Sequence, residues 1–503
     1  MSQERSPWPA LWALVIGFFM ILIDTTIVSI ANPSIQESLG ATIDQVIWVT
    51  SAYLLAYAVP LLITGRLGDR YGPKLMYQVG LVIFTLSSLA CGFADALPGS
   101  GIGNLIAFRA VQGIGAGLMT PQTMAVITRT FPASRRGIAM ALWGAVAGVA
   151  TLVGPLLGGV LVDGPGWEWI FFVNVPIGVG AFIAAQLLVP HLETHQHSFD
   201  WLGVVLSGIG MFLLVFGLQE GHSYDWNGWV WACIGGGVVV IGVFLWWQRV
   251  NTKEPLVPLR LFKDRNFSVA NVAITTVGFA FTSMFIPLVY YFQAVRGLTP
   301  TQTALMTVPT AVATLFLAPI AGRITDKVHP RLVAVPGLAI GALSIILWAL
   351  MLTPDIAIGW LLIPPAVLGI GSAFIWSPLG STATRNLPMS AAGAGAGVYN
   401  TTRQVGGVLG SAAIATVIVN RLLAHLGEGA NAGFQGESTS IVLPEPLREG
   451  FTAAMSQTLI VPGAALVVGA IVAVWFVRPA HLSRPDAGEA EAAGSPAERV
   501  PAS

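Results

Sequence analysis

Charge is what this 503-residue chain has least of: 24 Lys and Arg and 24 Asp and Glu make up only 10% of it, and they cancel. A soluble domain carries about 25% charged residues, so a water-facing globular surface is excluded. The zero net charge leaves no electrostatic footprint for a nucleic acid or an acidic partner. Cysteine is nearly absent, and Cys91 and Cys233 both fall in apolar runs, which argues for packing and against a disulfide. No Gly-rich loop ending in Gly-Lys-Ser/Thr occurs, so ATP drive is not expected, and no cofactor is expected either. A nucleophile–base pair or a set of metal ligands at one membrane depth is also missing, so the chain does not read as an enzyme.

What is abundant is apolar: 54% of the residues, with a mean hydropathy of +0.74. The apolar residues form runs such as 11–23, 80–93 and 459–477. A helix of about 20 residues crosses the roughly 30 Å hydrocarbon slab. The first run continues through Asp24 to Ala31 with no small-residue cleavage site, so it reads as a retained helix and not as a signal peptide. The pattern predicts fourteen transmembrane helices, near 9–32, 43–63, 75–95, 102–127, 136–162, 169–190, 199–218, 229–248, 267–292, 300–321, 331–353, 357–380, 391–420 and 452–477. An even number puts both termini on one side. Nineteen of the 24 Lys and Arg residues then fall on that side, which the positive-inside rule makes cytoplasmic. The cluster His191, His195 and His197 near Glu193 reads as a solvated loop, as does the acidic stretch 421–451.

An internal repeat organises these helices. Gly65-Arg66-Leu67-Gly68-Asp69-Arg70 follows the second predicted span and Gly322-Arg323-Ile324-Thr325-Asp326-Lys327 the tenth, both expected in short cytoplasmic turns. If each half holds six helices, the two motifs occupy matching turns and helices 7 and 8 are an inserted pair. The expected boundaries are a cytoplasmic tail at 1–8, a six-helix bundle at 9–190, the inserted pair at 199–248, a cytoplasmic linker at 249–266, a second six-helix bundle at 267–477 and a disordered tail at 478–503.

Several stretches carry a resemblance. The run Gly65 to Asp69, Arg70, Gly72 and Lys74 resembles the signature loop of the major facilitator superfamily. Arg109-Ala110-Val111-Gln112-Gly113 resembles the fourth-helix motif of its drug antiporters. Gly148 followed by Gly154-Pro155-Leu156-Leu157-Gly158-Gly159 resembles their fifth-helix antiporter motif. Ile23-Asp24-Thr25-Thr26 with Pro33, and Trp167-Glu168-Trp169 through Asn174-Val175-Pro176, resemble the fourteen-helix drug–proton antiporters, the EmrB/QacA-like branch. Glu168 stands where that branch usually has Arg. The resemblance implies an all-α major facilitator fold in a bacterial cytoplasmic membrane, with a small-molecule substrate, protons and the lipid bilayer as partners. An adaptor protein is left unknown.

Candidate sites follow from depth. Of the acids, Asp24 alone lies deep inside a predicted span, about 12 Å from the outer end of helix 1, and Arg109 lies about 10 Å into helix 4. An intramembrane acid is a functional candidate by default. Desolvation favours its neutral form and a nearby cation its charged form, so switching between the two could load and release a proton. A static buried ion pair and direct contact with a cationic drug stay open beside proton coupling. Asp69, Arg70 and Arg129 read as a gate latch, with Arg323 and Asp326 as the weaker counterpart. Tyr53, Tyr57, Gln112, Gln122, Phe285, Gln293, Trp376, Asn400, Arg403 and Gln404 are candidates for the substrate path. The expected function is proton-driven export of lipophilic or cationic drugs. Export of an endogenous lipid, siderophore or metabolite, or uptake by a proton symporter, are the alternatives.

Overall fold

The computed structural model describes residues 6–477 except 42, 133–134, 195–199, 222–223, 252–254, 388–390 and 428–442. His195, His197 and the expected tail at 478–503 therefore lie outside the described residues, as do the surroundings of Gly148 and Gln293 within their helices. Every regular element among the described residues is helical. In chain order they are α1 (Trp8–Leu39), α2 (Ile43–Ala58 and Leu61–Tyr71), α3 (Pro73–Gly92), α4 (Gly101–Thr130), α5 (Arg136–Asp163) and α6 (Trp169–Phe172 and Asn174–Leu188). Next come α7 (Trp201–Gln219), α8 (Gly228–Val250), α9 (Arg265–Tyr290), α10 (Pro300–Leu305 and Val308–Lys327) and α11 (Arg331–Met351). The last are α12 (Ile363–Arg385), α13 (Ala392–Leu426) and α14 (Glu445–Thr458 and Ile460–Ala473).

Eleven of these are long and apolar enough to cross a membrane, and α2, bent by 51° at its break, makes twelve. The remaining two are α5, with 28 residues, and α13, with 35. At 1.5 Å per residue they are about 42 and 52 Å long, ample for a crossing. The chain is a multi-pass membrane protein, and fourteen helices, whole or broken, are long enough to cross among the described residues. The face where α1 starts and α14 ends is called the terminal face below.

Two boundaries differ from expectation for local reasons. α1 runs on to Leu39 and stops only where Gly40 turns left-handed at φ 58°. The two Gly-Arg-x-x-Asp motifs are not turns. They form the last helical turns of α2 and α10, which end at Tyr71 and Lys327. In α2 the break falls earlier, at Pro60, which starts the second segment.

Small residues set the helix contacts. A Cβ on Gly115 of α4 would lie 2.7 Å from the backbone nitrogen of Phe84 on α3, so only glycine allows this approach. α5 packs along α1 and α10, α9 along α13, and α11 along α12. The α7–α8 pair lies over the line between α2 and α13: Met211 and Val215 of α7 share an apolar cluster with Leu55 of α2 and Val408 of α13. Its outer surface presents Trp201, Trp229, Trp231 and Trp246, each more than half exposed, as a lipid-facing surface does.

Asp200 holds this pair to the linker that follows it. Its carboxylate accepts from Gly203 N at 2.9 Å at the start of α7, from Trp247 Nε1 and Gln248 Nε2 of α8 at 2.8 Å each, and from Leu256 N at 3.4 Å. Burial works against the charged carboxylate, but these donors outweigh it and hold Asp200 below the usual carboxylate range. A carboxyl whose folded value is depressed contributes stability above its unfolded value, and that contribution fades as pH falls through the folded one. Asp200→Ala should therefore unfold at lower temperature than wild type at pH 7, with the gap closing below about pH 4. Thermal scans at both pH values check this.

Candidate functional site

Asp24 sits near the middle of α1, fully buried. Water cannot solvate a carboxylate there, so the protein supplies donors. Arg109 Nη1 of α4 lies 2.6 Å from Asp24 Oδ2, while Gln112 Nε2 donates to Oδ1 at 3.0 Å and Asn174 Nδ2 of α6 donates to Oδ1 at 2.9 Å. These donors are tied down in turn. Arg109 also reaches Gln112 Oε1 at 2.7 Å and, through Nε, Val49 O at 3.2 Å. Asn174 reaches Ser88 Oγ at 3.0 Å, and Ser88 donates to Phe171 O at 2.9 Å. The Tyr53 ring covers the guanidinium with its centre 4.1 Å away. The helix spacing explains the convergence, because Arg109 and Gln112 are three apart and share a face of α4. Asp24, Arg109, Gln112, Asn174 and Ser88 are all sealed from solvent, at 0–1% exposure, so no proton reaches the acid in this conformation without rearrangement.

At the terminal face the two copies of the repeat make matching contacts. Gly65 of α2 and Gly393 of α13 cross so closely that a Cβ on either would strike the other's carbonyl oxygen. One helical turn beyond Gly65, Asp69 points into the crossing. It accepts from Gly393 N at 2.9 Å and Ala394 N at 3.0 Å, two of the orphan donors that open α13, and pairs with Arg129. The second copy does the same in reverse. A Cβ on Gly137 of α5 would sit 2.7 Å from Gly322 O of α10. Asp326, one turn on, accepts from Gly137 N at 2.9 Å at the start of α5 and lies 3.1 Å from Arg385. Asp326 Oδ2 is left without a hydrogen bond of good geometry. Arg323 is not its cation. That side chain faces outward and is exposed, whereas Arg385 reaches into the crossing from α12. Arg66 donates to Pro255 O and to Leu256 O at 3.0 Å, in the linker clamped by Asp200. Arg70 lies 5.3 Å from the centre of the Tyr71 ring. Gly72 takes φ 93° between α2 and α3, a conformation a side chain would strain.

Between these two sets runs the seam where α1 and α5 face α9, α12 and α13. Phe18 stacks on Trp143 at 4.6 Å, and Trp143 meets Trp376 edge-on at 6.3 Å. Arg403 and Gln404 are half-buried here, as are Trp376 and Phe285, and Asn400 is fully buried, donating to Ala396 O at 2.9 Å. Four of the residues expected on the substrate path lie elsewhere, enclosed among α1–α6. Tyr53 and Gln112 belong to the Asp24 network, Tyr57 bonds Thr120 at 3.1 Å, and Gln122 donates to Thr64 O at 2.7 Å. In the fifth-helix motif, Gly154, Gly158 and Gly159 are buried, Gly154 against Thr26 of α1 and Gly159 beside Thr301 of α10, and α5 stays helical through Pro155.

A family model described as Major Facilitator Superfamily matches residues 14–411. The chain belongs to the major facilitator superfamily. An uncharacterized MFS-type transporter of Mycobacterium tuberculosis is 52% identical to it over 95% of this chain and 82% of that protein. The tetracenomycin C resistance and export protein of Streptomyces glaucescens is 31% identical over 94% and 92%. The multidrug export protein EmrB of Escherichia coli is 30% identical over 82% and 80%. Among major facilitators, the chain falls in the EmrB-like drug antiporter branch that its motifs resemble.

Three residues of this facilitator's polar sets were missed from sequence. Arg385 had a signal, because it follows Asp326 by 59 positions as Arg129 follows Asp69 by 60. Asn174 stands in the stretch that resembles the antiporter branch but was not given a role, and Ser88 had no signal beyond being polar within an apolar run. Removing one partner of a buried pair leaves an uncompensated charge and costs about 3–5 kcal/mol. Asp24→Asn and Arg109→Gln should each lower the Tm of the purified transporter sharply, while the double variant recovers most of the loss. Equal losses in all three would mean the two charges do not compensate one another.

Proposed function

We propose that the chain is a proton-driven exporter of lipophilic small molecules, working by alternating access with both termini in the cytoplasm. Two six-helix bundles, α1–α6 and α9–α14, rock about the seam, with α7–α8 as an inserted pair. The carrying observation is Asp24, a carboxylate at mid-membrane whose charge is balanced by Arg109 and by side-chain amides. Such a set has two self-consistent states. Charged, the acid is held by three donors. Protonated, it no longer needs Arg109, which is then free to turn toward another partner. A proton taken up from one side and released to the other couples that change to the opening and closing of the seam.

The latches supply the conformational half. Asp69 and Asp326 each hold the first turn of a helix from the opposite bundle, so the terminal face is shut in this structure and opening it breaks both. Basic residues crowd that face, among them Arg66, Arg70, Lys74, Arg129, Arg135 and Arg136, which supports placing it in the cytoplasm. The energy scale is adequate: one net charge moved across 100 mV releases about 2.3 kcal/mol, enough for roughly a fortyfold substrate gradient. The export direction draws on the relatives named for resistance and export.

The test is accumulation of lipophilic dyes of either charge in inside-out vesicles, with and without a proton gradient. Wild type should accumulate at least one dye only when the gradient is present. The Asp24→Asn/Arg109→Gln variant, chosen because it keeps the interior compensated, should lose the gradient dependence. Undiminished gradient-driven transport in that variant would remove Asp24 from coupling.

A further inference from the structure

Three buried acids of this chain have cations: Asp24 has Arg109, Asp69 has Arg129 and Asp326 has Arg385. Arg403 is the reverse case. It stands eleven residues into α13, about 17 Å from the terminal face, where an unpaired cation is costly and marks a site by default. Among the described residues no carboxylate reaches it. The acids of α9–α14 lie away from this depth, Asp326 at the terminal face and Asp355, Glu445 and Glu449 toward the opposite one.

What surrounds Arg403 is aromatic. Its guanidinium lies 5.9 Å from the centre of the Trp143 ring. Trp143 meets Trp376 at 6.3 Å, and Trp376 meets Phe281 at 6.0 Å, so a run of three edge-on rings from α5, α12 and α9 leads from the one that lies over the cation on α13. Unused polar atoms gather here as well. Arg403 Nε, Tyr399 Oη, Asn400 Oδ1 and Trp143 Nε1 are buried without a partner. Tyr399 and Asn400 are 0% exposed and stand one turn from Arg403 on the same face of α13. Buried polar atoms normally find partners, and three of these four are donors. Arg403, Trp376 and Phe281 are only half-buried, so the group is not sealed.

We propose that this seam site takes a planar aromatic anion, a ring system bearing a carboxylate or an ionised phenol, as the exported substrate. The rings slot among Trp143, Trp376 and Phe281, and the anionic oxygens meet the Arg403 guanidinium, with the Tyr399 hydroxyl and Trp143 indole as neutral donors. A cationic substrate at the same place would face an unscreened guanidinium in a low dielectric, where like charges repel far more strongly than in water. The charge class of the cargo is thereby set by Arg403, and lipophilicity by the rings.

The proposal rests on reading the seam as the transport route, but equilibrium binding needs no proton gradient, so the two can fail separately. Three probes with one ring and three charges give the test: 2-naphthoate, 2-naphthalenemethanol and 2-naphthylmethylammonium, titrated calorimetrically into the full chain in lipid nanodiscs. The carboxylate should bind at least about tenfold tighter than the ammonium, the scale of one charge-assisted hydrogen bond. Arg403→Gln should abolish that preference and leave the neutral alcohol within about threefold, while Arg403→Lys should retain most of it. Tighter binding of the ammonium, equal binding of all three, no detectable binding of the carboxylate, or an unchanged preference in Arg403→Gln would each overturn it. The wild-type charge series alone decides the matter if the glutamine variant does not fold.

Discussion

A carboxylate aimed at the first N–H groups of a helix from the other side of the molecule is the contact on which this conformation depends. In a membrane the opening turn of a helix has donors that neither lipid nor its own chain can satisfy. Asp69 meets them for α13 and Asp326 for α5, each one turn past a glycine that lets the two helices cross. A cap of this kind is worth about 0.5–2 kcal/mol. Under the proposed mechanism the two caps together would be comparable with the roughly 2.3 kcal/mol that one charge crossing 100 mV supplies.

The same constraint explains why charge at depth is so sparse and so organised. Asp24 is buried among three donors drawn from α4 and α6, and each donor is itself held by α2, α3 or α4. That network ties α1 to four other helices, α2, α3, α4 and α6. The caps lie about 26–30 Å away along the helices by residue count, and α5 connects the two regions. It packs on α1 beside Thr26 at Gly154, and it begins at Gly137 under the Asp326 cap. The α7–α8 pair adds a brace along the α2–α13 line, with Arg66 and Asp200 both fastened to the linker at Leu256.

Much of this was legible in the sequence, for identifiable reasons. Runs of about 20 apolar residues predict spans because the bilayer imposes a length, and all fourteen expected spans coincide with helices. Asp24 and Arg109 stand out because an ion at depth is rare. The repeat was visible, but its conformation was misjudged: a Gly-Arg-x-x-Asp stretch rich in charge looks like a turn, yet it stays helical because its acid is satisfied by another helix. Partners on separate helices were harder to read, since nothing local pairs Asp326 with Arg385 and not with Arg323, and only the matching spacing of Asp69 and Arg129 in the first half points to it. For the same reason Gln112 and Tyr53 read as cavity lining, although their facing helices enclose them completely.

The most direct test of the latch is the distance between spin labels at Leu75 on α3 and Leu332 on α11, both exposed at the terminal face. It would be measured by double electron–electron resonance in nanodiscs, with Cys91 and Cys233 replaced. Wild type should give a short, closed distribution. Removing both caps in Asp69→Ala/Asp326→Ala should move most of it to longer distances, with either single change producing a mixture. An unchanged distribution in the double variant would show that something other than the two carboxylates keeps the terminal face shut.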